Sequence, residues 1–552
     1  MDNRRIFLWA GLLFVYFVVY QTWMREQRAP VVPPPAAVTT LPAPATDAAN
    51  GDANLPALPD LEQNAAPPDV PAAEKSDGPG IRVRTDVLEL EIDTRGGDIR
   101  NVRLLEYPVR KSDPDHLVTL LEAAPGDEFA LHTGLRTRGT GDEPNHLAQF
   151  SAGADSFQLE DGVSELTVPL RWTNADGLVV NKIYRFVRGS YRISLEYQVE
   201  NGTGDEVAAA SYVQIARTIV PPKRSMTDVD SYSFTGPVIY DGKKYEKLDP
   251  DDLAKEPIEA AISGGWIASI QHHFLTAIVP PATDTYTYSV GLRNRTVLQS
   301  AIGPLQSLAP GSTATYDETL FVGPKLQDQL EDTAHGLKLT VDYGMLTVIA
   351  QPLFWVLRWL HKLTGNWGWA IILLTVLIKL AFYKLSETSG RSMAKMRKMQ
   401  PRIKHLQERY ADDRQALSKA MMELYRKEKI NPASGCLPIL IQMPVFIALY
   451  WVLLESVELR QAPWMLWIDD LSVRDPFFIL PILMGVTMLI QQRLNPAPPD
   501  PVQAKIMMAL PIVFTVFFAF FPAGLVIYWF TNNLLSIAQQ WRINKVVGAT
   551  GH

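Results

Sequence analysis

A single lysine, Lys379, lies within a long apolar segment of the sequence, where a cation is costly. Near the middle of a membrane span a lysine costs about 2.5 to 3.5 kcal/mol, and less if the ammonium reaches water or a partner. Thr375 precedes it by one helical turn, and other uncharged segments contain Gln442, Asn533 and Ser536. None of these segments contains an acidic residue. The pattern favours an unpaired cation that attracts acidic or polar segments of another chain, and snorkelling of Lys379 to the headgroups is the alternative.

The rest of the chain offers little for catalysis or metal binding. Only the adjacent His272 and His273 form a candidate metal pair, and neighbouring residues on a strand point to opposite faces. The sequence contains no nucleophile elbow, phosphate-binding glycine loop or HExxH motif. The single cysteine, Cys436, excludes an internal disulfide and a zinc site of several thiolates. We therefore predict no catalytic residue, no metal and no cofactor.

Long uncharged segments predict a polytopic α-helical membrane protein. The last of them, Ile506–Trp541, would cover about 54 Å as one helix, whereas the hydrocarbon core is about 30 Å thick. Phe521–Gly524 supplies a turn near its middle, so it is predicted to form two spans. The first segment lacks a small-residue cleavage site and is therefore predicted to be a signal anchor. The six predicted spans are residues 1–28, 363–386, 433–456, 475–492, 505–521 and 522–541.

The distribution of lysine and arginine predicts the direction of these spans. Residues 387–432 contain 12 Lys/Arg against 6 Asp/Glu in a chain whose net charge is −7. The positive-inside bias places this segment, loop 493–504 and tail 542–552 in the cytoplasm, with both chain termini. Residues 29–79, 80–325, 326–362 and 457–474 are then outside.

The uncharged stretch Tyr343–Leu357 is predicted to be an amphipathic helix at the outer membrane interface, since a seventh span would reverse the charge bias. A set of apolar residues at helical spacing, Leu346, Ile349, Leu353, Val356 and Leu360, forms its predicted apolar face. A buried helix of the outer domain remains the alternative.

Two outer segments differ sharply in composition. In residues 29–79, 25 of 51 residues are proline or alanine, which predicts an extended tether without a core. Residues 80–325 instead show short alternating apolar runs, such as Ile193, Leu195, Tyr197 and Val199, which predict a large all-β sandwich.

The basic segment 387–432 is predicted to form two amphipathic helices that face each other as a hairpin. Ala411–Arg414 divides them, and Asp412 or Asp413 would cap the second helix. Methionines and cations suit an interaction surface, although an inert connector is the alternative. The candidate contact residues are Met393, Lys395, Met396, Arg397, Lys398, Arg402 and Lys404.

Several multi-residue motifs, in the same order, resemble the YidC/Alb3 family of membrane protein insertases in its Gram-negative form. The resemblance is dense from about Tyr343 to Trp541, and the anchor, tether and β domain match in order and size. The motifs are Met393–Arg397, Gln400–Pro401, Asn431–Pro432, Gly435–Pro438, Gln442–Pro444, Ser456–Pro463 and Ile479–Gly485.

The resemblance implies a hydrophilic groove formed by the last five spans, open to the cytoplasm and to lipid. Lys379, Thr375, Gln442 and Trp529 match groove positions of the family, although relatives often have arginine and tyrosine where this chain has Lys379 and Trp529. The predicted groove also includes Tyr528, Asn533 and Ser536.

The resemblance further implies a location in the bacterial inner membrane and a supersandwich-like periplasmic domain. The partners it implies are nascent membrane proteins, the Sec translocon with its accessory subunits, ribosomes and targeting factors at the hairpin, and the phospholipid bilayer. The chain is thus expected to be an insertase and chaperone. A transporter or channel gated by the β domain and an envelope enzyme are the rival hypotheses.

Overall fold

The computed structural model describes residues 80–124, 127–220, 233–293, 295–410, 413–428, 437–494 and 501–549. The predicted signal anchor (1–28) and tether (29–79) lie outside these residues. Residues 495–500, which are half of the predicted loop 493–504, and residues 550–552 of the tail also lie outside them.

The first part of the described chain, up to Pro324, consists almost entirely of β-strands. Period-2 burial explains them: along the strand Arg192–Asn201, Ile193, Leu195, Tyr197 and Val199 are buried. The strands are β1 Ile81–Arg84, β2 Leu88–Ile92, β3 Ile99–Arg110, β4 Asp113–Thr119, β5 Glu122–Ala124, β6 Asp127–Arg138, β7 Ser151–Ala152, β8 Ser156–Gln158, β9 Glu165–Thr173, β10 Leu178–Val187, β11 Arg192–Asn201, β12 Val207–Thr218, β13 Gly236–Tyr240, β14 Tyr245–Lys247, β15 Ile258–Ser263, β16 Trp266–Gln271, β17 Phe274–Val279, β18 Thr285–Arg293, β19 Thr296–Ile302, β20 Gln306–Leu308 and β21 Thr313–Pro324.

These strands form two sheets that pack face to face. The first has the order β15-β18-β19-β12-β6-β3-β2-β1-β8, with β20, β4 and β5 paired at its sides, and the second has the order β14-β13-β16-β17-β21-β11-β10-β9-β7. Pairing is antiparallel except between β1 and β8. Bonds cross the interface, such as Gln299 Nε2 on β19 donating to the Ala268 carbonyl on β16. The predicted all-β sandwich is therefore confirmed.

A buried lysine also joins the two sheets. Lys182 on β10 is fully buried, and its Nζ donates to the Gly96 carbonyl at 2.7 Å and to Thr133 Oγ1 at 2.6 Å. Burial lowers the pKa of Lys182 to about 7, opposed by the nearby Asp98 carboxylate. These bonds satisfy an otherwise costly buried cation.

The rest of the described chain is mainly helical, apart from turns and the longer connection 456–478. The helices are α1 Pro250–Leu253, α2 Gln327–Thr333, α3 Thr347–Thr364, α4 Trp367–Ala381, α5 Tyr383–Lys398, α6 Gln400–Arg409, α7 Arg414–Lys427, α8 Leu437–Glu455, α9 Ile479–Leu494, α10 Pro501–Phe518 and α11 Ala523–Ala549. α1 lies within the β domain, and α2 follows its last strand.

The predicted amphipathic helix exists as α3, although it begins at Thr347, after a Gly344–Leu346 turn, and not at Tyr343. Its most buried residues, Ala350, Phe354, Leu357 and Leu360, form a face about one position later than the predicted one. This face packs on α4 and α8, which disfavours the alternative of a helix buried in the β domain. Its location at a membrane interface stays a prediction.

No single helix of the described residues combines the length and apolar character needed to cross a membrane, whereas α4 and α5 do so as a pair, bent by 68°. Within the predicted span 363–386, α4 ends at Ala381 and the backbone turns at Phe382, and the bounds of this span stay a prediction. The division of the last apolar segment is confirmed, since α10 ends at Phe518 and α11 begins at Ala523. The count of six spans stays a prediction.

The basic segment contains three helices, α5, α6 and α7, where the sequence predicted two. The extra break falls at Met399, two residues before Pro401, which lacks an N–H and restricts the residue before it. The predicted cap is confirmed at Asp413, whose carboxylate accepts bonds from the backbone N–H groups of Gln415 and Ala416. The helices do face each other, through the buried Met399 and Ile403.

Candidate functional site

Lys379 is near the C-terminal end of α4 and points toward α11. Its Nζ donates a hydrogen bond to Ser536 Oγ at 2.8 Å, and that hydroxyl donates in turn to the Asn532 carbonyl at 2.7 Å. The side chain is partly buried, and no charged group of the described residues acts on it. The ammonium therefore has a neutral partner here and keeps donor capacity for another group.

Thr375, one turn before Lys379, occupies a closed position. Its side chain is 1% exposed, and its hydroxyl donates to the Ile371 carbonyl of the same helix at 2.7 Å. Ser or Thr hydroxyls commonly satisfy themselves in this way within helices. The groove role of Thr375 stays a prediction, and the residue would have to become exposed before it could contact a client.

An aromatic cluster lies nearer the N-terminal end of α11. The ring of Phe446 on α8 lies 4.9 Å from that of Trp529 and 6.0 Å from that of Tyr528, both on α11. Phe518 at the end of α10 contacts Trp529 at 5.6 Å. Tyr528 is buried, and the buried indole N–H of Trp529 has no hydrogen-bond partner within the part of the chain that the structure describes. This cluster contains a free donor among apolar rings.

Gln442 and Phe446 share one face of α8, since they are four residues apart. Gln442 is partly buried, and its helical neighbour Ile441 is exposed. Gln442 was a predicted site residue, whereas Phe446 was not. No signal in the sequence separates Phe446 from the other apolar residues of its helix.

The two groups are joined by α11. Trp529 and Ser536 are seven residues apart, which places them on one face of the helix about 10 Å from each other. α11 thus connects the aromatic cluster to Lys379. We call the set formed by Gln442 and Phe446 on α8, Trp529 and Ser536 on α11, and Lys379 on α4 the polar–aromatic strip.

Asn533 lies beside this strip and joins helices instead. It is 2% exposed, and its Nδ2 donates to Thr487 Oγ1 on α9 at 3.4 Å. Thr487 is also buried and was not identified from the sequence. Polar pairs of this kind contribute about 0.6 kcal/mol on average between membrane helices. The geometry therefore favours a packing role for Asn533 in this conformation.

The predicted contact residues of the cytoplasmic segment separate into two groups. The cationic side chains Lys395, Arg397, Lys398, Arg402 and Lys404 are exposed. By contrast, Met393 is partly buried, and Met396 packs against the Met399–Ile403 cluster. The structure instead exposes 55% of Met422 on α7, which the sequence analysis did not single out.

The prediction that His272 and His273 lie on a strand and point to opposite faces is wrong. They form the turn between β16 and β17. Their rings stack with centroids 3.7 Å apart. Burial lowers the pKa of His272 to about 4 and lowers that of His273 well below its usual value, so both rings are neutral at pH 7. Within the described residues no group of three or more side chains that could hold a metal ion is present, so the two histidines have no third ligand there.

Two family models match almost all of the described chain. Residues 80–356 match the YidC periplasmic domain, and residues 359–549 match the 60Kd inner membrane protein. The membrane protein insertase YidC of Thioalkalivibrio sulfidiphilus (strain HL-EbGR7) is 51% identical over 569 aligned residues, which cover 100% of each chain.

Other relatives agree with these matches. The membrane protein insertase YidC of Nitrosococcus oceani is 46% identical over 560 aligned residues, again with 100% of each chain covered. Among solved structures, a crystal structure of an active YidC insertase with its first transmembrane domain resolved is 19% identical with a TM-score of 0.38. That match covers 84% of this chain and 92% of the other.

Proposed function

The chain belongs to the YidC family of membrane protein insertases, and from this premise we propose that the polar–aromatic strip is the path along which it inserts its clients. A nascent transmembrane segment would bind the strip through its polar flank and then move sideways into lipid. The protein is an insertase that also assists the folding of these clients.

The observation that carries this proposal is the environment of Lys379. The ammonium donates to a neutral hydroxyl, and no charged group of the described residues acts on it. Within a membrane, cations are usually paired or line a wet cavity, so a cation without a counterion is available to a charge that arrives with a client. Acidic or polar flanks of clients are the groups it would attract.

The energetics of insertion fit a protein without an ATP site. Burying about 20 apolar residues of a client in lipid is strongly favourable, and the barrier is the passage of its polar flank through hydrocarbon. Hydrogen-bonding groups along the strip would replace part of the water that the flank loses. The apolar part of the client then supplies the driving force.

The proposed topology has six spans in the bacterial inner membrane, with the last five forming the insertase core. Charge supports both termini in the cytoplasm and the β domain in the periplasm. α4 and the first turn of α5 would cross as one bent unit within residues 363–386, and α8, α9, α10 and α11 would supply the other core spans. Their exposed apolar side chains, such as Ile512 and Val516 on α10, suit contact with lipid.

The cytoplasmic hairpin is proposed to receive nascent chains. Its exposed cations suit ribosomal RNA, acidic targeting factors and anionic lipid, and the exposed Met422 suits an apolar client segment. Cooperation with the Sec translocon is part of the same proposal, and the family resemblance is its support.

Reconstitution tests this function. Purified full-length protein in vesicles should protect the translocated tail of a newly made single-span client from external protease, without ATP. Empty vesicles give the background, and solute flux is measured in the same preparation. Flux without insertion would contradict the proposal in favour of a transporter, which the named relatives do not support.

A further inference from the structure

The periplasmic end of α8 is closed by the His272–His273 turn of the β domain. The last carbonyl groups of a helix have no partner within it. His272 Nε2 lies 3.2 Å from the Leu454 carbonyl, and the His273 ring stacks on the His272 ring. A carbonyl oxygen can only accept, so His272 carries its proton on Nε2. The β domain therefore supplies the C-terminal cap of a helix of the insertase core.

The turn itself is held rigidly. The stacked imidazole rings follow β16 and precede β17, whose side chains are almost all buried. The Lys325 N–H, just after β21, donates to the His273 carbonyl at 2.8 Å. The cap is thus fixed to the centre of the second sheet and not to a loose loop.

Further contacts hold the same helix end. Ser233 Oγ donates to the Glu455 carboxylate at 3.0 Å, and the 2%-exposed Lys325 attracts that carboxylate electrostatically. Tyr343, just before α3, has its hydroxyl 3.3 Å from Ser456 Oγ. Contacts from the β domain and its connector therefore converge on the end of α8, from Leu454 to Ser456.

The position of this cap affects the polar–aromatic strip through the length of α8. Phe446 and Gln442 precede Glu455 by about 13 and 20 Å along the helix axis. A tilt of about 10° at the cap would move Gln442 by roughly 3 Å, enough to separate it from a client held at Lys379. The bonds at the cap limit such tilting.

We infer that His272 and His273 are positioning residues for insertion, which hold α8 at the tilt that places Gln442 and Phe446 opposite α11. The inference deepens the proposed function, because the role of the strip is itself proposed. It assigns the β domain a mechanical part in insertion without any ligand of its own.

A distance measurement tests the inference without a client. Spin labels are attached at Ile441 on α8 and Leu534 on α11, both exposed, in full-length protein with Cys436→Ser. His272→Leu should raise the population of molecules with a displaced label-to-label distance, relative to those with the native distance, about fivefold. This is the change expected for one lost hydrogen bond. His272→Gln, which retains a donor at the same reach, should restore the native distribution.

Two further variants keep the result interpretable. His272→Asn leaves the turn polar but is too short to reach Leu454, so it should shift the distances as His272→Leu does. It replaces the leucine variant in the test if the leucine variant does not fold. His116→Leu, at a side chain that is 70% exposed, should change nothing. An unchanged distribution in His272→Asn, or an equal shift in His272→Gln, would overturn the inference.

A second measurement uses a client. Photo-crosslinkers at Gln442 and Ser536 report contact with α8 and α11 separately. In His272→Asn, crosslinking from Gln442 should fall about fivefold relative to Ser536, whereas a general loss of folded protein would lower both equally. If neither site crosslinks in the unchanged chain, the proposed strip fails while the distance result still stands.

Discussion

Replacing Lys379 by methionine removes the charge and keeps a flexible side chain of similar length. The nearest described partner is Ser536 Oγ at 2.8 Å, which is neutral, so the substitution breaks no described ion pair. Two unit charges about 5 Å apart attract by roughly 1 kcal/mol in water and roughly 3 kcal/mol at an effective dielectric constant of 20. One acidic residue in a client flank should therefore lose roughly 5-fold to 150-fold in binding to the strip.

The assay compares initial rates of insertion into vesicles for two clients that differ only by aspartate or asparagine in the translocated flank. Lys379→Met should slow the aspartate client and leave the asparagine client nearly unchanged. Lys379→Arg should retain the difference between the clients, because it keeps the charge. Lys384→Met is the matched control, since it removes an exposed cation five residues away.

The result that would refute the reasoning is an equal loss for both clients. Such a loss would mean that Lys379 stabilises the helices and does not attract the flank. Ser536→Ala separates these roles further, because it removes the neutral partner and leaves the charge. We expect it to have less effect on the aspartate client than Lys379→Met.

Two further predictions concern the β domain and the hairpin. Burial raises the pKa of Glu318 to about 7, although the hydroxyls of Ser211 and Tyr286 donate to its Oε1. The contribution of Glu318 to folding stability is therefore complete below about pH 4.5 and is lost as the pH rises through 7. Glu318→Gln should remove this loss of folding free energy, which is roughly 3 kcal/mol. At pH 8, β21 of the variant should exchange its amide hydrogens more slowly than β21 of the unchanged full chain, and faster exchange would contradict the prediction. Asp413→Ala should destabilise α7 by about 1 kcal/mol, seen as about fivefold faster exchange at its first turn, and unchanged exchange would show that the cap is dispensable.

The β domain was predictable because alternation is a local signal. Ile193, Leu195 and Tyr197 alternate with more polar residues, and the strand that contains them has that burial pattern. The pairing of the strands was not predictable, since neighbours such as β11 and β21 are far apart in sequence. Tertiary contacts decide that order.

Helix boundaries in the apolar segments were less accessible. The 68° bend between α4 and α5 falls at Phe382, between Lys379 and Lys384, and neither proline nor glycine marks it in the sequence. Pro401 did mark the break before α6, but helical periodicity continued across it and hid the signal. The helical periodicity of the apolar residues alone does not reveal where a helix bends.

The candidate site was predictable where a residue type has a high free-energy cost in its surroundings, as a cation has in an apolar segment. Lys379 was recognisable because an unpaired cation in an apolar segment needs an explanation. Phe446 was not, because an aromatic residue in an apolar helix is ordinary, and only its contacts with Trp529 and Tyr528 distinguish it. The turn at His272 was likewise hidden, since neither of its residues is typical of hairpin turns.

Site-specific crosslinking during synthesis of a short membrane protein tests the polar–aromatic strip most directly. Photo-crosslinkers at Gln442, Trp529 and Ser536 should capture the nascent chain, whereas the exposed neighbours Ile441 and Leu534 should capture lipid. Capture at the two neighbours that equals capture at the strip would contradict the proposed path.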